Sequence, residues 1–135
     1  MGELKHLYLI AAILISIIQP AHADSQVMTW YSPATSGGDI LRSGYRYDEI
    51  KTPFGAVDAA QYDRLAHHRI FGTGDGVRFS FVVLDSGYLA RHCVEQPGGE
   101  CWTIALDIGR EWFVWGGLSV PVSFEVGMDS WWGKL

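Results

Sequence analysis

Cysteine is scarce in this chain: there are two in 135 residues, Cys93 and Cys101. No CxxC pair exists, which argues against a catalytic redox use of them. Basic residues are also few, 10 against 15 acidic, for a net charge of −5. Nucleic acid and anionic membranes are bound mainly through Lys and Arg, so neither is an expected partner. The apolar stretch Leu7 to Ile18, broken only by Ser16, falls short of the roughly 20 residues that cross a bilayer. No membrane anchor follows from it. The segment "GTGDG" lacks the Lys and Ser or Thr of a phosphate-cradling loop and precedes a strand pattern, so it is read as a turn. His67 and His68 are adjacent and His92 stands beside Cys93, with no HExxH spacing. No metal and no cofactor are expected.

What is present begins with a leader. Lys5, the run from Leu7 to Ile18, the break at Gln19 and Pro20, and the small residues Ala21 and Ala23 have the order of a secretory signal peptide over residues 1–23. Residues 24–135 then form a single domain, secreted or periplasmic, with no cysteine at the cleavage point to carry lipid. In an oxidising compartment Cys93 and Cys101 form a disulfide by default. The intervening "VEQPGGE" is a tight turn, so the bridge staples a hairpin and contributes about 2.6 kcal/mol on the chain-entropy model.

The clearest regular element is "GVRFSFVVLDSGY". Phe79, Phe81 and Val83 alternate with Ser80, Val82 and Leu84, which reads as a buried strand from Val77 delivering Asp85 to a loop. Asp85 either starts the turn with Ser86 and Gly87 or is an acid presented by a rigid strand end. A second strand from Trp102 to Leu106 likewise ends in an acid, Asp107, which either caps the following turn or pairs with Asp85. "VMTWYSP" and "VPVSFEVG" are further strand patterns, and "DAAQYDRLAHH" is one short helix capped by Asp58. Trp30 and Tyr31 are either packing residues or a stacking platform for a sugar ring. Trp112 and Trp115 share one face of a short turn, and Trp131 with Trp132 either tuck back or form an apolar patch. Short strands, glycine turns and one disulfide describe a small all-β barrel or sandwich with one or two short helices, without internal repeat.

In order, "MTWYSP", "SGYRYDE", "VDAAQYDRL", "FGTGDGVRFSFVVLDSGYL" and "IALDIGREWFVWGGLSVPVSFEV" resemble the double-psi β-barrel of the rare lipoprotein A family, and more remotely expansins and family 45 glycosidases. The family's acid-bearing "NDRGP" loop falls on "LDSGY" and its "IDLS" motif on "LDIG". Ser86 and Tyr88 stand where that pattern has Arg and Pro, and Gly109 where it has Ser. The resemblance implies cleavage of a cell-wall polysaccharide, as in lytic transglycosylation of peptidoglycan. Asp85 would be the acid/base, Asp107 the second carboxylate, and His68 a third catalytic candidate. Trp30, Tyr31, Tyr88 and Trp112 would bind the glycan. The alternative is a non-catalytic, expansin-like barrel that binds carbohydrate or a protein partner through the same aromatics.

Overall fold

The computed structural model describes residues 26–32 and 40–130. The leader over residues 1–23, the loop "ATSGGD" and the pair Trp131 and Trp132 lie outside the described residues. Seven strands are formed: β1 (Gln26–Tyr31), β2 (Phe54–Asp58), β3 (His68–Gly74), β4 (Val77–Gly87), β5 (Cys93–Glu95), β6 (Cys101–Gly109) and β7 (Ser119–Ser130). One helix, α1 (Ala59–Leu65), follows β2, capped by the Asp58 carboxylate accepting from the Ala60 N–H. Its Tyr62 and Leu65 are buried, which is the face the sequence spacing anticipates.

The strands run in the order β1-β7-β3-β4-β2-β6, and an additional β1–β6 pairing closes them into a six-stranded barrel, with β5 outside on β6. This is the small all-β barrel that the strand pattern describes. Two pairings are parallel, β1 with β6 and β2 with β4; the others are antiparallel. Met28, Val57, Ile70, Phe81, Val83, Leu106, Ile108 and Val120 fill the interior, and Tyr62 and Leu65 of α1 join them. A second cluster joins Leu41 and Ile50, from the segment between β1 and β2, to Phe54, Val82 and Leu84. Both faces of β4 are therefore covered, which explains its continuous apolar run. The Cys93–Cys101 disulfide is formed and closes the β5–β6 hairpin, as its turn-rich loop implies.

Several elements differ from the sequence reading. β4 does not hand Asp85 to a loop: it continues through Ser86 and Gly87, which pair with Val57 and Asp58 of β2. Parallel pairing with a neighbour outweighs the turn preference of Asp-Ser-Gly. β6 likewise runs on to Gly109, so Asp107 is a strand residue and the 3-10 turn Arg110–Trp112 is preceded by Gly109 as its cap. β2 and β3 carried no clear strand signal because Gly55, Gly72 and Gly74 interrupt them. These glycines are demanded by packing: a Cβ on Gly72 would lie 2.5 Å from the Ser123 carbonyl and 2.6 Å from the Phe79 ring. "GTGDG" ends in the expected turn, with Asp75 and Gly76 both at positive φ between β3 and β4. An internal correspondence also appears: "LDSG" on β4 and "LDIG" on β6 are each the partner of an earlier strand in a parallel ladder.

Gly55 ties the interior to the two acid-bearing strands, since a Cβ there would sit 2.7 Å from the Phe81 ring and 2.9 Å from the Asp107 carbonyl. Gly55→Ala is expected to destabilise the barrel by about 1–3 kcal/mol through overpacking. Urea unfolding measures it, and a loss below a few tenths of a kcal/mol would contradict this account of β2.

Candidate functional site

The register of four adjacent strands builds the site. Thr29 on β1 lies opposite Asp107 on β6, Asp107 opposite Ala56 on β2, and Ala56 opposite Asp85 on β4. Directly paired residues share a face, so both acids project outward on either side of Ala56. Their backbones are two strand spacings apart, about 9.5 Å. Ala56 contributes only a methyl group between them.

Asp85 reaches this face because of a bulge. Gly55 pairs with Val83 but Ala56 with Asp85, leaving Leu84 as an extra residue. Strict alternation after Phe81 and Val83 would have turned Asp85 into the apolar interior. The bulge is held by the preceding segment: the Ser43 N–H donates to the Leu84 carbonyl at 3.0 Å. One residue earlier, the Arg42 N–H donates to Asp85 Oδ1 at 2.9 Å. The other oxygen, Oδ2, accepts from the Tyr31 phenol at 2.9 Å. Tyr31 thus reaches from β1 to β4, on the acids' face, with its ring edge-on to Phe54.

Asp107 is half-buried. Its Oδ1 accepts from the Thr29 hydroxyl at 2.9 Å. Burial pushes the Asp107 carboxyl up to about 6; the Thr29 hydrogen bond opposes this, and the charge of Asp85 adds to it. Burial, then the Asp85 charge, raises the Tyr31 phenol far above its ordinary range, so Tyr31 stays a hydrogen-bond donor. The wall beyond is aromatic: Phe54 meets Trp112 and Tyr47 edge-on, and the Tyr47 phenol donates to Glu111 Oε1 at 2.5 Å.

The sequence-predicted residues divide clearly. Asp85, Asp107 and Tyr31 are brought together, with Trp112 on the adjoining wall. Trp30 is not part of this group. Neighbours in a strand point to opposite faces, so Trp30 packs against the interior cluster, its Nε1 donating to the Gly117 carbonyl and the Arg110 guanidinium 4.2 Å above its ring. The Trp30–Tyr31 pair is therefore not a joint platform. Tyr88 is exposed beyond the end of β4 with Arg91 4.8 Å over its ring. His68 opens β3, and its Nδ1 is engaged with the Gly127 carbonyl of β7 at 3.0 Å, on the opposite side of β4 from β2 and β6. Sequence reasoning missed Thr29, Arg42 and Ala56. Thr29 was legible in part, two residues before Tyr31 and hence on the same face of one strand; the other two depend on pairing register.

No protein-family model matches the chain, and no curated protein matches it in sequence. The fold is similar to that of the apo form of an expansin from Clavibacter michiganensis, with a TM-score of 0.53 and 20% identity over 77% of this chain. A mutant of that expansin in complex with cellohexaose superposes with a TM-score of 0.49 at 19% identity. The chain spans about half the length of the expansin it matches, 50%. The likeness is one of fold: a small all-β barrel.

The Asp107 carboxyl carries a pH signature. Raised from 3.8 to about 6, it holds a proton more tightly when folded than when unfolded. Its contribution to stability is complete below about pH 4 and is lost as pH rises through about 6, on the order of 3 kcal/mol in total. Asp107→Asn should remove that slope and leave a protein more stable than the parent at neutral pH, its amide oxygen still accepting from Thr29. Denaturant unfolding at a series of pH values checks this. An unchanged slope in the variant would show that the titration belongs elsewhere.

Proposed function

We propose that this chain is a secreted, cell-wall-directed protein whose outer groove receives a polysaccharide and cleaves it by acid catalysis. The observation that carries this reading is the placement of Asp85 and Asp107 on one face, separated by Ala56, with the Tyr31 phenol joined to Asp85. Secretion is supported by the leader pattern of residues 1–23 and by the disulfide. The similarity in fold to an expansin agrees with a carbohydrate-directed barrel.

The division of labour is the reverse of the one that the resemblance implies. Asp107 is the carboxyl held protonated toward neutral pH, so it is the proton donor. Asp85 already accepts from Arg42 and Tyr31, yet a carboxylate has about four acceptor sites, so one more donor can be received. In the lytic reaction Asp107 gives its proton to the glycosidic oxygen as the bond to the anomeric carbon breaks. The hydroxymethyl oxygen of the same sugar bonds to that carbon, and its proton passes to Asp85. The product is an anhydro-sugar end and no water is consumed. A protonated acid and a fixed acceptor on opposite sides of a narrow gap are what this needs.

A second reading, a barrel that holds a glycan without cutting it, is favoured by one observation: both oxygens of Asp85 are engaged by the protein itself.

Incubation with purified peptidoglycan sacculi, and with glycan stripped of its peptides, decides between them. Soluble anhydro-sugar products are expected, released at a rate that falls as pH rises above about 6. Asp107→Asn should lower that rate by about 100-fold or more, and Asp85→Asn should also suppress it, with both variants still retained on the wall. Retention without product would leave the binding reading. No retention on any glycan would overturn both.

A further inference from the structure

We infer that Arg42, with Arg91 beyond it, forms an anion-binding edge to the groove, and that the polysaccharide received there bears carboxylates. This rests on the reading of the groove as a glycan site and names the class of glycan. The first observation is that the Arg42 guanidinium is held in place without being neutralised. It lies 5.1 Å over the Tyr62 ring, and its Nη1 donates to Ser86 Oγ at 3.3 Å. Its backbone is fixed by the donation from its own N–H to Asp85. The charges of Arg42 and Asp85 both act on the Tyr62 phenol, so guanidinium, phenol and carboxylate share one small region.

The second observation is the absence of a carboxylate partner for it. The ion pairs found among the described residues are those of Arg46 with Asp48 and Glu49. Arg42 and Arg91 are each laid on a tyrosine ring instead, Arg91 on Tyr88 at 4.8 Å. The nearby acids are engaged elsewhere. Asp85 accepts from the Arg42 N–H and Tyr31, and Asp58 accepts from the N–H groups of Ala60 and Ala90 at 3.1 and 3.0 Å. Two pre-oriented guanidinium groups thus stand at the end of β4 outside ion-pair distance of any carboxylate among the described residues, the Arg91 charge acting on Asp58 only from further off, in a chain whose net charge is −5.

Guanidinium presents five N–H donors in a planar fork suited to carboxylate, and one is accounted for here by Ser86. The residues that carry the two contacts, Ser86 and Tyr88, are two positions apart, about 7 Å of extended chain. The two cations therefore stand near one another at the end of β4, where the carboxylates of a polymer can meet them. Uronic acids and the free lactyl carboxyl of peptide-stripped muramyl glycan share this chemistry.

The test measures binding of the whole chain to polygalacturonate, to the same polymer after methyl esterification, to peptide-stripped peptidoglycan glycan, and to a neutral β-glucan. Polygalacturonate should bind about tenfold more tightly than its methyl ester, and rising salt should erase the difference. Arg42→Ala should reduce the preference toward unity while leaving neutral-glucan binding in place; Arg42→Lys should retain part of it. Arg91→Ala, which leaves the Asp85 contact intact, should lower the preference on its own. Preference for the uronate polymer or for the stripped muramyl glycan identifies the source of the carboxylate. Equal binding of free and esterified polymer, or an Arg42→Ala loss equal on charged and neutral glycans, would overturn the anion edge alone. No binding to any of the four would overturn the glycan reading beneath it.

Discussion

An acid that follows Phe79, Phe81 and Val83 at even spacing belongs, by simple alternation, inside the barrel. An uncompensated carboxylate in that interior would cost several kcal/mol. The extra residue at Leu84 removes the conflict: it turns Asp85 outward while Leu84 itself packs with Leu41, Ile50, Phe54 and Val82. Everything at the site depends on that one change of register. Bulges disrupt the ladder locally, and here the exposed carbonyl is satisfied by Ser43 and the displaced carboxylate by the Arg42 N–H. The segment between β1 and β2 is thus the brace for the bulge and the roof of the second apolar cluster. It also carries the guanidinium that lies beside Asp85.

Closure of the barrel supplies the rest of the geometry. Two parallel ladders, β1 with β6 and β2 with β4, each place an "LDxG" segment on the later strand, and the β2–β6 pairing joins the two. Asp107 also follows a register shift, with Ala105 the extra residue between Ile104 and Leu106. The two acids therefore stand on equivalent strands with small β2 residues between them. Gly55 faces the interior against Phe81, and Ala56 lies on the face of the two acids. A larger side chain at Ala56, which is buried, would crowd the space between the two acids.

Much of the fold was legible in the chain because burial wrote it there. The β4 run, the alternation of β7, the Asp58-capped helix and the stapled β5–β6 hairpin all follow from periodicity, capping and turn chemistry. β2 and β3 were not, because Gly55, Gly72 and Gly74 are chosen for close approach of neighbouring strands and weaken local strand propensity. At the site the two acids were readable as candidates, since each ends an apolar run. Their relation was not, because it passes through Ala56, whose identity carries no chemical signal. Trp30 shows the converse: its aromatic character suggested a platform, but face alternation sends it to the interior and leaves Tyr31 with the acids. "LDSG" and "LDIG" are too short to stand out as a repeat in sequence, and become one only through their matching ladders.

The electrostatics of the groove follow from which donors are offered to which acid. Asp107 is half-buried and has one hydroxyl, from Thr29; Asp85 has a backbone N–H and a phenol. Neither acid has a cation within ion-pair distance among the described residues. Two carboxyls so placed repel when both are charged, and the repulsion falls hardest on the one that burial already disfavours as an anion. That repulsion adds to burial in raising the Asp107 carboxyl. Moving the Arg42 guanidinium one residue along, from Ser86 to Asp85, would neutralise Asp85 and weaken the field that helps keep Asp107 protonated. By lying on Tyr62 and Ser86 instead, the cation makes no ion pair with either acid.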